Sequence, residues 1–495
     1  MRTPLAVALT GLLAPVLVSR LAAAGDFDRT TIFQAPNGQS AMYAQLTPLR
    51  DGQLLCAFRL AWKDGSSPWT VPGSRIVCIR SGDGGRTWSK DPLLIFQDKD
   101  SSAYTSQCGL GYQAADGTIL VPFYVVTMTG EGRPEHIHWN MLGASRDGGQ
   151  TWYCRNLPSQ PFLTNPTFGG LCRTGAGALW MLERCRGYGL DLPDVYLGKK
   201  SWLDVRSCVR IVQSRDEGQS WEPLCYVGYD PAQAEATAHF PEEFKEDEPA
   251  LTRLPSGRIL LVARPYLYQA ASDDAGKNWQ IGPSLLTRPA SQGKRVFTGL
   301  SPVLWHSPAG PKGGTTLLAY HDRWEEHAQQ GGIYMTFSHD EGRTWGRPTW
   351  IAPGAYPCLY ESPAGRMCCA YYASNARLEA AFFAVPFPTG VQAESTSGDQ
   401  PAVLVSWDPY SGPDADSYEY QVYRGPAPGA IDQLLGVVRA DHRFRDTRIA
   451  PRETYHYQVI ARADKREVGR SWTATARPKT AVSAQSQPAG PVQRD

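Results

Sequence analysis

The side chains with the most chemical scope stand at the ends of strand-like runs. In DEPALTRLPSGRILLVARPY, Asp247 to Tyr266, Glu248 opens one run, a turn follows, and the second run ends on Arg264. A carboxylate so placed can act as a general base or nucleophile, and a guanidinium forks onto a carboxylate. In AYPCLYESPAGRMCCAYY, Ala355 to Tyr372, the run opens on Tyr356. A phenol becomes a nucleophile when a neighbouring base takes its proton. ALWMLERCRGYG carries Glu183, which is expected on an inner strand. It would pair with Glu248 as a second working carboxylate, or form a salt bridge with Arg184 or Arg186. Glu248 has a plainer alternative too, a solvated acidic loop, since Glu242, Glu243, Glu246 and Asp247 precede it. His321 and His327 in HDRWEEH lack the H-E-x-x-H spacing of a zinc site and read as loop histidines. No metal or other cofactor is called for.

The elements that must position these residues are strands. Across 495 residues the chain holds Gly 48, Pro 39, Trp 15 and Tyr 23, rich in turns and aromatics, and few stretches have a helical period. That balance predicts an all-β protein. Five octets recur: SGDGGRTW at Ser81 to Trp88, SRDGGQTW at Ser145 to Trp152, SRDEGQSW at Ser214 to Trp221, SDDAGKNW at Ser272 to Trp279 and SHDEGRTW at Ser338 to Trp345. Their starts are 64, 69, 58 and 66 residues apart. Each follows a strand-like run and has the chemistry of a hairpin turn. Asp accepts backbone N–H groups, Gly takes a positive φ, and Trp packs the returning strand. Repeats at this period suit four-stranded units with elaborated loops.

The octets resemble the Asp-box repeats of the sialidase (neuraminidase) superfamily, over residues 25–388. The resemblance implies a six-bladed β-propeller whose last blade, Tyr356 to Pro386, lacks an octet and is completed by the N-terminal strand. It places the octet aspartates (Asp83, Asp147, Asp216, Asp274, Asp340) on the rim as structural residues. It also implies an exo-acting glycoside hydrolase on a glycan, working with retention. Tyr356 falls at the nucleophile position, Glu248 at that of its base partner, and Arg264 at one of three arginines that grip the substrate carboxylate. A phenol suits an anomeric carbon that bears a carboxylate, because a carboxylate nucleophile would meet charge repulsion. Other landmarks depart from the pattern. Ala44, in Met42-Tyr43-Ala44-Gln45-Leu46, stands where the first arginine belongs, so Arg59 in LLCAFRLAW is the nearest substitute. Arg323 is the nearest candidate for the third arginine, and Asp64 in AWKDGSSPW for the acid. An exo-arabinanase-like enzyme on neutral glycans is the alternative, with Glu183 as acid/base, Glu248 as nucleophile and Tyr356 beside it. A non-catalytic carbohydrate-binding propeller is the third reading.

The ends of the chain read differently. Arg2, the apolar stretch Leu5 to Val18 and Ala22-Ala23-Ala24 have the pattern of a signal peptide over 1–24, which predicts a secreted or periplasmic protein. No later segment is apolar enough for a transmembrane helix. A net charge of +1 argues against a nucleic-acid partner. Residues 389–400 read as a linker and 481–495 as a disordered tail. Between them, 401–480 holds PAVLVSWDP, YEYQVYRG and TYHYQVIARA. These runs resemble a fibronectin type III-like β-sandwich, with Trp407 on the second strand, Tyr423 on the third and Tyr455 at a tyrosine corner. Such a module would serve as a spacer or touch a cell surface or polysaccharide. The eleven cysteines are scattered, with some disulfides expected but no pairing readable.

Overall fold

The computed structural model describes residues 27–62, 73–97, 103–127, 138–157, 163–174, 177–186, 207–227, 247–264, 266–286, 299–322, 331–396, 401–412 and 414–478. Asp64, Arg323, the expected signal peptide 1–24 and the expected tail 481–495 lie outside the described residues. Within them the chain is all-β, with no α-helix and no helix long and apolar enough to cross a membrane.

Six antiparallel sheets come first. Sheet 1 runs Gln39–Pro48, Leu54–Trp62, Arg75–Ser81, Leu93–Gln97. Sheet 2 runs Ala103–Cys108, Ile119–Thr127, His138–Ser145, Tyr153–Asn156, with Tyr112–Gln113 also on its second strand. Sheet 3 runs Leu163–Arg173, Leu179–Arg186, Ser207–Ser214, Glu222–Val227, and sheet 4 Asp247–Arg253, Ile259–Arg264, Tyr268–Ser272, Gln280–Ser284. Sheet 5 runs Leu300–Ser307, Thr315–Asp322, Gly332–Ser338, Thr349–Ala352. Sheet 6 takes Ala355–Glu361, Arg366–Ser374 and Arg377–Ala384, and its fourth strand is Asp28–Gln34 from the other end of the chain. The first strand of each sheet touches the first strand of the next, and sheet 6 touches sheet 1 in the same way.

The apolar core follows this arrangement. Each junction between neighbouring sheets has its own buried layer, such as Leu55, Ile76, Val121 and Phe123 between sheets 1 and 2. Leu317, Met335, Met367 and Phe383 fill the junction between sheets 5 and 6. Strands such as LLCAF are apolar at every position because both of their faces are covered. A fully buried Leu or Phe contributes about 1.5–3 kcal/mol.

The octets are the turns between third and fourth strands. In each, the serine hydroxyl donates to the aspartate, as Ser214 does to Asp216 at 2.7 Å, and accepts from a glycine N–H, Gly218 at 2.7 Å. Hydrogen bonds from Thr151 and Ser145 hold the Asp147 carboxyl well below the usual carboxylate range. Gly342 shows why the fifth position is glycine: its φ is +78°, and a Cβ there would lie 2.5 Å from Leu260 of sheet 4. Two octets also latch onto the preceding sheet. Glu217 accepts from Ala115 N at 3.2 Å, and Glu341 accepts from Ser256 N at 3.0 Å.

The C-terminal part packs a three-stranded sheet (Gln392–Thr396, Ala402–Ser406, Arg443–Asp446) against a five-stranded one. The second sheet comprises Glu419–Gly425, Gln433–Val438, Tyr455–Ala463, Arg466–Arg470 and Ala474–Ala476. Trp407, Tyr420, Tyr457 and Val403 share its core. Three readings need correction. The expected linker 389–400 contains the strand Gln392–Thr396, whose alternating residues turn Ala393 inward and suit a half-exposed edge. Trp407 follows the second strand rather than lying on it. The linker reading also implies few contacts between the two parts, and that expectation fails. Trp472 packs on Phe27, Phe337 and Phe383 with ring centroids 5.1, 5.2 and 5.5 Å apart, and its Nε1 donates to Ala384 O at 3.2 Å. His339, from the fifth octet, packs against the rings of Phe387 and Tyr410. Tyr423 lies on Glu419–Gly425, and the Tyr455 hydroxyl accepts from Ala450 N at 2.8 Å. Among the described residues Cys78, Cys154, Cys172, Cys358, Cys368 and Cys369 are in no disulfide, and burial pushes the Cys78 thiol up to about 12.

Candidate functional site

The site residues are placed by a backbone irregularity that recurs around the ring. On the first strand of sheet 1 the register jumps between Met42 and Gln45, so Tyr43 and Ala44 together face the single residue Phe58. The same two-against-one bulge falls at Glu248 and Pro249 in sheet 4, Ser301 and Pro302 in sheet 5, and Tyr356 and Pro357 in sheet 6. Its first residue has a positive φ every time: 63° at Tyr43, 54° at Glu248, 49° at Ser301 and 55° at Tyr356. Bulges of this kind re-aim a side chain and interrupt pairing. Proline fits the second place because it has no N–H to give to the ladder.

Just before each bulge the first strand pairs with the far end of the second strand. Met42 faces Arg59, Asp247 faces Arg264, Leu300 faces His321 and Ala355 faces Tyr372. The octet turns adjoin the opposite end, where Ser81 pairs with Leu54 and Ser272 with Ile259. One end of the ring therefore carries the repeated turns and the other the chemically varied residues.

At that second end the bulge residues meet one another and the ends of the second strands. Glu248 Oε2 accepts from Ser301 N at 2.8 Å and from Ser301 Oγ at 3.0 Å, and Arg264 Nε lies 3.6 Å from the same oxygen. Glu248 is 7% exposed, which corrects the solvated acidic loop. The Tyr356 ring, 6% exposed, meets the Tyr43 ring edge to face, with centroids 4.7 Å apart, and lies 6.2 Å from the His321 ring and 6.4 Å from that of Tyr372. Sheet 5 thus stands between the glutamate and the tyrosine, holding one through Ser301 and meeting the other through His321. The Arg59 guanidinium lies over the Tyr43 ring at 5.5 Å, and its Nη2 donates to Met42 Sδ at 3.6 Å.

Glu183 belongs to a different arrangement. It lies on the second strand of sheet 3, not on an inner strand. Asn140 Nδ2 donates to its Oε1 at 2.8 Å, and Arg210 reaches Oε2 through Nε at 2.6 Å and Nη2 at 2.5 Å. All three side chains are buried. Burial pushes the Glu183 carboxyl up from its ordinary value, while Arg210 and Asn140 pull the other way. A partner is Arg210 from the neighbouring third strand, while the side chains of Arg184 and Arg186 lie outside the described residues.

Three residues at this end escaped the sequence reading. Tyr43, not Ala44, heads the sheet 1 bulge at its positive-φ position. Ser301 holds Glu248, and His321 is a buried strand residue rather than a loop histidine. A signal for one of them, Ser301, was present in the dipeptide Ser301-Pro302, which opens a first strand as Glu248-Pro249 and Tyr356-Pro357 do. Among the described residues no group of three His, Cys, Asp or Glu side chains is set to hold a metal ion.

No family model and no curated protein matches the sequence. Solved structures do. A protein of unknown function from Dyadobacter fermentans matches with a TM-score of 0.53 and 16% identity, over 72% of this chain and 97% of its own. A Hadza microbial sialidase matches with a TM-score of 0.54 and 16% identity, over 72% of this chain and 68% of its own. Trypanosoma rangeli sialidase in complex with sialic acid matches with a TM-score of 0.51 and 10% identity, over 90% of this chain and 88% of its own. At these identities the likeness is one of fold: the chain has an all-β architecture of four-stranded sheets similar to that of these sialidases.

Proposed function

We propose that this chain is an exo-acting, retaining glycoside hydrolase on a six-bladed β-propeller, with Tyr356 as nucleophile and Glu248 as its base partner. The observation that carries this reading is the shared backbone position. Glu248 and Tyr356 head the positive-φ bulges of sheets 4 and 6, and Ser301 and His321 of sheet 5 stand between them. In the first step the Tyr356 oxygen bonds to the anomeric carbon as its proton passes to Glu248. The bond to the leaving oxygen breaks, and that oxygen takes a proton from an acid, for which Asp64 is the candidate. Water then reverses the sequence and frees the sugar with its configuration retained.

The substrate proposed is a terminal acidic sugar of the sialic acid type, anchored through Arg264. Two features support a phenol-based reaction over one using paired glutamates. Tyr356 stands at the site, whereas Glu183 is held by Arg210 and Asn140. Residues 1–24 and the fibronectin type III-like sandwich support an exported enzyme acting on glycoconjugates.

The experiment combines turnover with trapping. Chromogenic sialosides, arabinofuranosides and other glycosides are screened. The protein is then treated with an activated fluorinated analogue of the sugar released, and its peptides are analysed by mass spectrometry. A sugar label on the Tyr356 peptide is expected. Inert wild-type protein, or label on another residue, overturns the reading.

A further inference from the structure

We propose that Tyr43 is a positioning residue of the site: its ring fixes the Tyr356 phenol on one side and shields Arg59 from the substrate on the other. This inference rests on the hydrolase reading above and deepens it, because it assigns the grip on the substrate's anionic group to Arg264 and not to Arg59.

Tyr43 is the sheet 1 counterpart of Glu248, Ser301 and Tyr356, each the first residue of its bulge with a positive φ. An aromatic residue rarely adopts that conformation. It persists only where the surroundings over-determine it, and such residues gather at functional sites. Ala44 follows it where the other three sheets have proline, so the bulge in sheet 1 does not depend on a proline.

Its surroundings are specific. Met42, Tyr43, Ala355 and Tyr356 form a buried cluster of their own, packed against Tyr372 and separate from the layers between sheets. At 4.7 Å and an interplanar angle of 72°, the Tyr43–Tyr356 contact is the edge-to-face geometry that aromatic pairs favour, which restricts how the nucleophile's ring can turn. Arg59 lies over the Tyr43 ring at 5.5 Å, a cation–π contact, and none of its surface is exposed. Arg264, by contrast, keeps 19% of its side-chain surface accessible beside Glu248. Tyr43 is itself only 2% exposed, so its ring and the guanidinium it covers are both closed off, whereas Arg264 stays open to a ligand carboxylate.

The test separates kcat from KM in full-length variants whose folding is checked by thermal unfolding, on the acidic glycoside that the wild type turns over. Y43L should lower kcat at least tenfold with KM within threefold of wild type, and Y43F should recover most of the loss because it keeps the ring. R59M, which replaces a buried cation with an apolar side chain of similar length, should also lower kcat and leave KM nearly unchanged. R264A should raise KM at least tenfold. Near-ultraviolet circular dichroism gives a readout that needs no turnover: Y43L should lose the coupled signal of the two tyrosines, and Y43F should keep most of it. An unchanged kcat in Y43L, a Y43F loss as deep as that of Y43L, or a rise in KM for R59M equal to that for R264A overturns the proposal. Wild-type protein that is inert on every glycoside sinks the hydrolase reading instead, and the dichroism of Y43L still decides the ring contact.

Discussion

Five turns at the rim share one sequence pattern and one geometry. Four first strands at the axis share one backbone geometry and differ in the side chain they present. At the rim, serine, aspartate and glycine recur because the same hydrogen bonds must close the same turn. At the axis a positive-φ bulge recurs but offers tyrosine, glutamate, serine and tyrosine in turn. Repetition of residues marks what the ring needs to stand. Repetition of backbone with changing residues marks where the ring does something particular.

The widest gap between the two regions should appear with Y356F. It removes one oxygen at the axis, so kcat should fall on the order of 10⁴-fold or more while the unfolding temperature barely moves. Steady-state kinetics beside calorimetry check this, and a Y356F enzyme within tenfold of wild type would erase the distinction drawn here. Glu183→Gln tests whether a carboxylate at the same end belongs to the machinery or the scaffold. Breaking a buried ion pair costs about 3–5 kcal/mol, and this change removes the charge that Arg210 meets through Nε and Nη2. Denaturant titration should show that loss, with kcat per folded molecule retained. A fully stable but inactive variant would return Glu183 to the chemistry.

Acid should act on the rim where it meets the C-terminal sandwich. Burial pushes the His339 ring from its ordinary 6.5 down to about 4, despite the nearby Asp340. Above 6.5 the ring is neutral in both folded and unfolded chains. As pH falls from there towards 4, the unfolded chain takes up the proton first, so folded stability is lost. At 1.36 kcal/mol per pH unit the full loss is about 3 kcal/mol. H339F should flatten stability against pH across this window, measured by urea midpoints, and parallel profiles for the two proteins would refute the assignment. The smallest effect belongs to one octet hydroxyl. Ser214→Ala removes its bond to Asp216 and leaves the Gly218 N–H short of a partner, costing about 1 kcal/mol with kcat unchanged. A kcat loss in this variant would join the rim to the axis.

How far each region could be read follows from the range of the forces that shape it. An octet is local: its serine, aspartate and glycine lie within five residues, so the turn and its strands are legible in the sequence. Glu248, Arg264 and Tyr356 were singled out because the family pattern that the octets resemble places working residues at those strand ends. Tyr43 was passed over for Ala44 because the bulge depends on register against Phe58, set by a neighbouring strand and not by local residues. Glu183 was placed one strand too far in, since neither LTNPTFGGLCR nor LWMLERCR carries a signal of its order in the sheet. The strand in 389–400 was hidden by polar residues that only an edge position tolerates.

One feature of the ring sets a schedule for its synthesis. Asp28–Gln34 completes sheet 6 by pairing with Arg377–Ala384, so Gln34 waits for Arg377, which follows 343 residues later. At a synthesis rate of about 5–20 residues per second, that is on the order of 20–70 s with an unpaired strand edge. Such an edge invites the matching strand of another copy, and an exchanged first strand would link two rings by the contacts that should close one. Asp28 and Arg29 begin the strand with opposite charges, a feature that discourages unintended pairing. The time spent waiting, more than the strength of the finished seam, sets the risk of entanglement for this chain.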